Sequence, residues 1–216
     1  MTAATIAPIA AGFEQGSETW ATFRLQAPLA LGEGNTWSMR YRERFSRFFE
    51  DRILYQYAVG AEHRLPSGVR VGLGYELFRT SFGISENRLF PQLQLRSTFA
   101  GLPLRHRFRL ELRDLTEQEL GFRDDLAYRF RYLIAHRRPI FSGGAYLELR
   151  NELFLTVGEG SALDPRLSQN RFGATFGRPL GERLRAEVRY QYGYSRGDEL
   201  TRGDHLLQFQ LDWDLR

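Results

Sequence analysis

The chain has 216 residues, of which 42% are hydrophobic, contains no cysteine and carries a formal net charge of +4. No lysine occurs, so all 30 residues counted as lysine or arginine are arginine. The lack of cysteine excludes disulfides, thiol catalysis and thiolate metal sites. No stretch approaches the roughly 18 apolar residues of a spanning helix, which excludes a helical membrane protein.

The first residues, MTAATIAPIAAG, are rich in small residues but lack the basic and long apolar regions of a complete signal peptide. We therefore expect that the protein is exported with a leader that this sequence does not include. Residues 1–16 are interpreted as a residual leader or a weak first strand. Because no proline-, glycine- or serine-rich linker divides the rest, residues 17–216 are predicted to form a single β-barrel domain.

Apolar and polar residues alternate along most of the chain from about residue 20 onward, as in strands with one polar and one apolar face. In LRHRFRLELR, residues 104–113, five mostly apolar side chains alternate with four arginines and one glutamate. Pro91 lies inside another such segment and predicts an edge or a bulge there, because proline cannot donate to a β-ladder. Eleven strand-like segments begin near residues 20, 36, 53, 69, 87, 104, 126, 145, 170, 183 and 205.

The connections between these segments are of two kinds. Tight turns built from glycine, proline and asparagine are predicted at residues 32–35, 66–68, 101–103 and 179–182. Longer polar connections are predicted at residues 79–87, 114–124, 158–169 and 195–204. Short turns at one end and longer loops at the other are typical of an up-and-down barrel in the outer membrane.

The predicted fold class is therefore all-β, a closed antiparallel up-and-down transmembrane β-barrel. Bacterial barrels of this kind have an even number of strands. Residues 4–13 are taken as a weak additional strand, so twelve strands are expected, with ten as the alternative. A soluble lipocalin-like barrel or sandwich would bury the apolar rows instead. Long strands, aromatic residues near the ends of the apolar rows, and the heavily charged opposite rows favour the membrane.

The charged rows predict a lumen, and its candidate anion-binding residues are Arg40, Arg42, Arg44, Arg105, Arg107, Arg109, Arg113, Arg129, Arg131, Arg183, Arg185 and Arg189. Small residues on two other strands, Ala58, Gly60, Gly72 and Gly74, are expected to leave space opposite them. Rows of positive charge in a narrow pore favour anions, which predicts a narrow anion-preferring diffusion channel. In the alternative, the arginines pair with Glu62, Glu76, Glu148, Glu152 and Glu187, and the barrel is a plugged structural or interaction protein without transport.

A lipid-modifying barrel enzyme is the minor alternative, because such enzymes use serine and histidine near the membrane rim. The only candidates are His136 and Ser142 with Glu148, and no motif surrounds them. We predict no catalytic residue, no metal and no cofactor. The expected partners are outer-membrane lipid, lipopolysaccharide and small acidic solutes, with no nucleic acid, and the protein is expected to be a monomer. Arginines assigned to lipopolysaccharide phosphates are Arg123, Arg137, Arg138 and Arg166.

Several short stretches resemble a known family. In order along the chain they are ENRLFPQLQL (86–95), HRFRLELR (106–113), RNELFLTV (150–157), SQNRFGATFG (168–177) and the closing HLLQFQLDW. Their order and spacing resemble a bacterial family of outer-membrane-type β-barrels known only as a domain of unknown function. This resemblance covers most of the chain from about residue 17 and implies export and a barrel, without an established activity. In style alone, the arginine-lined barrel also looks like monomeric porins for acidic oligosaccharides such as oligogalacturonates or sialic acid.

Overall fold

The computed structural model describes residues 12–30, 32–46, 51–81, 83–117, 122–157, 166–196 and 200–215. No helix in these ranges is long and apolar enough to cross a membrane. The described chain forms strands β1 (Gly12–Pro28), β2 (Asn35–Ser46), β3 (Asp51–Arg64), β4 (Arg70–Thr80), β5 (Ile84–Phe99), β6 (Leu102–Glu117), β7 (Phe122–Pro139), β8 (Tyr146–Val157), β9 (Arg166–Pro179), β10 (Leu184–Arg196) and β11 (Leu200–Asp214).

The strands close into one barrel in which each strand pairs antiparallel with its neighbours along the chain. The closed, mostly antiparallel barrel is confirmed, and its eleven described strands lie between the ten and twelve expected. In a meander with an odd number of strands, the first and last strands run in the same direction. Accordingly β1 and β11 pair in parallel, from Gly12 opposite Leu200 to Gln26 opposite Asp214.

Residues 4–13 do not supply a separate strand within the described chain. Gly12 and Phe13 form the start of β1, which continues without a break through the predicted first strand to Pro28. Residues 4–11 lie outside the described residues. An even number of strands was expected because bacterial barrels have an even number. With eleven strands, the parallel pairing of β1 with β11 closes the barrel without an extra strand.

The connections at residues 29–34, 65–69, 100–101, 140–145 and 180–183 all lie at one end of the barrel, which we call the turn end. Glycines in the left-handed region make several of these reversals, for example Gly68 (φ 83°) and Gly101 (φ 77°). The other end, the loop end, carries shorter connections than the sequence predicts. Strands β4 and β5, for example, leave only residues 81–83 between them, because both continue into the predicted loop.

Pro91 lies inside β5 between two neighbouring strands, so the expected edge or bulge is wrong. It lies opposite Leu73 of β4, and the register between β5 and β6 is the same before and after it. Phe90 and Pro91 are left out of the pairing with β6. The missing N–H is therefore accommodated by a local gap in one ladder, while the strand itself continues.

Alternation along the strands gives the wall two very different faces. Glu76 and Glu111 point into the barrel and are 1% and 0% exposed, whereas Leu73 and Phe172 point outward and are 56% and 57% exposed. The polarity is therefore the reverse of a water-soluble barrel, which buries its apolar row.

Two inward-facing glycines are required by the close approach of aromatic rings. A Cβ on Gly74 would lie 2.3 Å from the ring of Phe90, its neighbour on β5. A Cβ on Gly177 would lie 2.3 Å from the ring of Tyr146 on β8. In both pairs the missing side chain makes room for an aromatic ring from the neighbouring strand.

The substitution Gly74→Ala is expected to lower the free energy of unfolding by about 1–3 kcal/mol, because the added methyl group must displace the buried Phe90 ring. The control is Gly193→Ala, whose Cβ would meet no atom nearer than 3.7 Å. Urea unfolding of both variants in detergent micelles measures the difference. Equal stability of the two variants would contradict the packing of Phe90 against Gly74.

Candidate functional site

The inward faces of the strands enclose a cavity of about 370 Å³ along the barrel axis. Its lining contains fifteen arginines and five glutamates among the described residues. The lining runs from Arg105, Arg137 and Arg185 near the turn end to Arg44 and Glu86 toward the loop end. The cavity therefore follows the bore, and positive side chains dominate its wall.

Ten of the twelve arginines selected from the sequence line this cavity: Arg40, Arg42, Arg44, Arg105, Arg107, Arg109, Arg129, Arg131, Arg185 and Arg189. The other two do not. Arg113 donates to Glu86 at 2.5 Å, on an inward position beside the cavity. Arg183 is exposed in the turn before β10. Its place in the alternating row is lost because β10 begins only at Leu184.

Five cavity-lining arginines are absent from the sequence selection, namely Arg24, Arg88, Arg137, Arg150 and Arg171. Four of them lie on β1, β5, β8 and β9, where arginine does not recur at every second position. Arg137 lies at the end of β7 and is one of the four arginines assigned above to lipopolysaccharide phosphates. The alternation of side chains along each strand could have identified these arginines, because each lies on the same side of its strand as a buried polar residue.

Glu111 is the most deeply buried acid of the described residues, at 0% exposure. Arg129 Nε donates to its Oε2 at 2.7 Å, and Arg131 Nη1 donates to its Oε1 at 2.5 Å. Arg109 Nη1 lies 3.7 Å from Oε1. Charge-assisted hydrogen bonds from β7 to both carboxylate oxygens compensate the cost of removing this carboxylate from water.

Glu76 on β4 contacts arginine side chains from three other strands. Arg109 Nη1 donates to it at 3.1 Å, Arg88 Nη1 lies 3.8 Å away, and Arg40 also forms a hydrogen bond with it. Arg40 and Glu76 occupy one register row with Ala58 between them. Because Ala58 has only a methyl group, the Arg40 side chain can reach over β3 to its partner.

Glu152 and Glu148 on β8 bind the arginines of β6 and β7. Glu152 accepts from Arg107 at 2.7 Å and from Arg131 at 2.8 Å. Glu148 accepts from Arg105 at 3.0 Å and from Arg137 at 2.9 Å. These bonds join three adjacent strands through their side chains.

The two remaining acids predicted to cross the lumen have different partners. Glu187 lies 3.3 Å from Arg189 and accepts a hydrogen bond from Tyr146. Glu62 accepts mainly from glutamine, with Gln94 Nε2 at 2.7 Å, and its ion pair with Arg70 is long, at 3.9 Å. Glu62 therefore neutralises little of the arginine charge.

Several inward arginines have no carboxylate within ion-pair distance in the described chain. Arg42 donates to Thr22 at 3.1 Å and to Gln56 at 3.4 Å, and its guanidinium lies 4.3 Å from the ring centre of Trp20. Arg171 lies 4.8 Å from the ring centre of Phe154. Aromatic faces and neutral oxygens hold these cations in place without cancelling their charge.

The small residues on β3 and β4 do not leave the open space that the sequence predicts. The Phe90 ring covers Gly74, and the guanidinium of Arg109 lies 3.8 Å from the centre of that ring. Arg40 crosses Ala58 to reach Glu76. Long side chains from neighbouring strands fill this wall, so the free volume lies on the axis instead.

His136 and Ser142 do not form a site with Glu148. His136 Nδ1 lies 2.9 Å from the backbone oxygen of Pro103, whereas Glu148 is buried in the lumen between arginines. His106, on the outward face, contacts Ser97 Oγ and Tyr132 OH at 2.8 Å each. Within the described ranges, no group of three or more histidine, aspartate or glutamate side chains is placed to hold a metal ion.

The four arginines assigned to lipopolysaccharide are not brought together. Arg137 and Arg138 lie near the turn end, and Arg137 is bound to Glu148. Arg123 and Arg166 belong to the first residues of β7 and β9, at the loop end, and their side chains lie outside the described residues. The prediction named them only as loop or rim arginines, and whether they bind lipopolysaccharide stays a prediction.

The substitution Glu111→Gln is expected to lower the free energy of unfolding by about 3–5 kcal/mol, because Arg129 would lose its carboxylate partner and Arg131 would keep only Glu152. Glu33→Gln, in an exposed turn, is the control and should change it by less than about 0.5 kcal/mol. Urea titration in detergent, followed by tryptophan fluorescence, compares them. A wild-type midpoint for Glu111→Gln would show that these pairs are not needed for stability.

Comparison with known proteins gives a family but no activity. A family model described as "Protein of unknown function (DUF2490)" matches residues 18–202. No curated protein and no solved structure matches the chain. The match begins within β1 and ends within β11, so it spans nearly the whole barrel wall. The chain forms an eleven-stranded barrel with an arginine-lined lumen. It belongs to the DUF2490 family of proteins of unknown function.

Proposed function

We propose that the protein is a β-barrel of the bacterial outer membrane that admits small anions into an arginine-lined bore. The observation that carries this proposal is the reversed polarity of the wall, with charged side chains inside and large apolar side chains outside. In water, such an outward face would expose apolar surface from every part of the barrel. In a bilayer, the same face is matched to hydrocarbon, and barrel closure leaves no unpaired strand edge.

Strand length and the position of aromatic residues support the membrane setting. The described strands have 11 to 18 residues, enough for the roughly 9–11 residues that a tilted strand needs to cross a bilayer core. Trp37 and Trp213 lie on the outward rows close to the turn end, and Tyr192 and Tyr194 lie on one strand close to the loop end. Aromatic side chains at two heights are typical of membrane interfaces.

The excess of arginine over acid along the cavity supports a preference for anions. The glutamates that line the bore are engaged by arginines or by Tyr146, and several guanidinium groups remain uncancelled, Arg42 and Arg171 among them. Fixed positive charge in a bore with a low-dielectric wall raises the local concentration of anions. The small cavity volume restricts passage to small or narrow solutes.

Ion pairs that reach over an intervening strand favour a second candidate, a closed barrel with a structural or interaction role. Arg107 reaches Glu152 over Leu133, and Arg40 reaches Glu76 over Ala58. Such crossings stiffen the barrel and narrow its lumen. Under this second proposal the exposed connections at the two ends would carry the function, and the arginines would serve only stability.

The membrane setting is tested by placing arginine on the outward face. Val59, 49% exposed near the middle of β3, and Phe99, 71% exposed at the turn end, differ in expected depth. In vesicles, Val59→Arg should lower the free energy of unfolding from the bilayer by about 2–4 kcal/mol, and Phe99→Arg by about 0–1 kcal/mol. Urea titration of folding into phosphatidylcholine vesicles measures both. Equal small effects would contradict a membrane-embedded wall.

The anion preference is tested in planar bilayers. The wild-type protein should conduct with chloride favoured over potassium, and Arg42→Gln with Arg171→Gln should lower that permeability ratio by about two- to tenfold, because two uncancelled charges are removed. The control, Arg178→Gln, removes an exposed arginine on the outward row of β9 and should leave the ratio unchanged. A folded protein that is silent would overturn the channel and favour the closed barrel. A protein that conducts but prefers potassium would overturn the anion preference.

A further inference from the structure

A second cavity, of about 590 Å³, lies at the turn end and adjoins the first. The two share Arg105, Arg137, Glu148 and Arg185 in their linings. Its wall is formed by β5 to β10, about half of the ring, together with the turn that joins β7 to β8. We call this cavity the vestibule. We propose that the vestibule is a binding site for a small amphipathic carboxylate, a molecule with an apolar body and one carboxylate group.

One part of the vestibule is apolar and rigid. Ala135, Ala145 and Tyr146 line it and are 3%, 4% and 6% exposed. Pro103, Pro139 and Pro179 complete this surface, and their rings restrict the backbone at the ends of their strands. Because the wall is preformed, an apolar ligand body would lose little free energy to ordering of the protein on binding.

The position of Tyr146 is held from both sides. Its hydroxyl donates to Glu187 across Gly177, which lies between them in the register. The guanidinium of Arg137 lies 3.8 Å from the centre of the same ring. The ring is therefore fixed in the wall and cannot swing in to fill the vestibule.

The charged part of the vestibule has more arginine than acid. Arg105 and Arg137 share Glu148, which leaves Arg96 and Arg185 without a carboxylate in the described part of the chain. Arg96 lies on β5 and Arg185 on β10, at the two sides of the lined half-ring.

Arg185 is left unpaired by its neighbours along the sheet. Its register neighbour on β11 is Asp212, and its register neighbour on β9 is Pro179. The fork of Arg24 holds Asp212 with two hydrogen bonds, of 2.9 and 2.8 Å. With that carboxylate occupied, Arg185 is free to bind the carboxylate of a ligand through its own planar fork.

The combination defines the ligand class. Volumes of roughly 300–1,000 Å³ with a mostly apolar lining and a few polar groups are typical of small-molecule sites. An inorganic anion would leave the apolar surface unused, and a neutral molecule would leave the arginines without a counter-charge. The site does not require a conducting bore, so it stands apart from the proposed channel.

The test uses fluorine NMR of the whole chain in lipid nanodiscs with three probes, namely 4-fluorobenzoate, 4-fluorobenzyl alcohol and fluoroacetate. Empty nanodiscs correct for partition into lipid. We expect saturable binding of 4-fluorobenzoate, and at least about tenfold weaker binding of the other two probes. The alcohol lacks the carboxylate, and fluoroacetate lacks the apolar body. Equal binding of the alcohol, or no saturable binding of 4-fluorobenzoate, would overturn the site.

Matched variants locate the binding. Arg185→Gln should weaken 4-fluorobenzoate binding by about tenfold, because it removes a charge-assisted contact. Arg183→Gln removes the same charge two residues away, in an exposed turn outside both linings, and should leave binding unchanged. Arg96→Gln, at an exposed position, gives a second reading should Arg185→Gln fail to fold. Equal losses of binding in Arg183→Gln and Arg185→Gln would overturn the site. Unchanged binding in a folded Arg185→Gln would also overturn it. If Arg185→Gln does not fold, unchanged binding in Arg96→Gln would overturn it.

Conductance and probe binding separate the two proposals. A silent protein that binds 4-fluorobenzoate through Arg185 contradicts the channel and supports the vestibule. A conducting protein that does not bind the probe contradicts the vestibule and supports the channel.

Discussion

Compensation of buried charge is the constraint on which this barrel depends. A closed wall one strand thick gives each side chain only two environments, and alternation sends most of the acids and arginines of the described strands to the inner one. Burying a carboxylate without partners would cost several kcal/mol. Glu76, Glu111 and Glu152 avoid that cost because each is shared by arginines from different strands. The same contacts tie the wall together across its interior.

The size of the residue that lies between two side chains on the wall decides whether those side chains can meet. Ala58 allows Arg40 to meet Glu76, and Gly177 allows Tyr146 to meet Glu187. Gly74 serves a different purpose, since it receives the ring of Phe90, on which Arg109 lies. At these positions a small inward residue lets a longer side chain from a neighbouring strand pass or rest, and two cavities lie on the axis and at the turn end.

The two cavities differ in chemistry because their acids are distributed differently. Along the axis, glutamates neutralise part of the arginine charge and aromatic rings hold other guanidinium groups. At the turn end, Glu148 is the one acid of the described lining, and prolines and alanines replace charged side chains over much of the wall. An anion entering from the turn end would thus meet an amphipathic vestibule first and a bore with three times as many arginines as glutamates next. The proposed channel and the proposed carboxylate site follow from this difference.

Alternation in the sequence was sufficient to predict a barrel, the strand segments and most of the arginines that line the bore, because the period of two decides the face of each residue. It was not sufficient for Arg171 or Arg150, which lack arginine neighbours in their rows, or for Arg183, which falls outside its strand. The sequence by itself determined which side chains share a face. Only the tertiary structure decided the parallel closure of β1 on β11, the partner of each glutamate and the filling of the glycine wall by Phe90. These depend on register and on contacts between strands far apart in the chain, which the periodicity of a single strand does not encode.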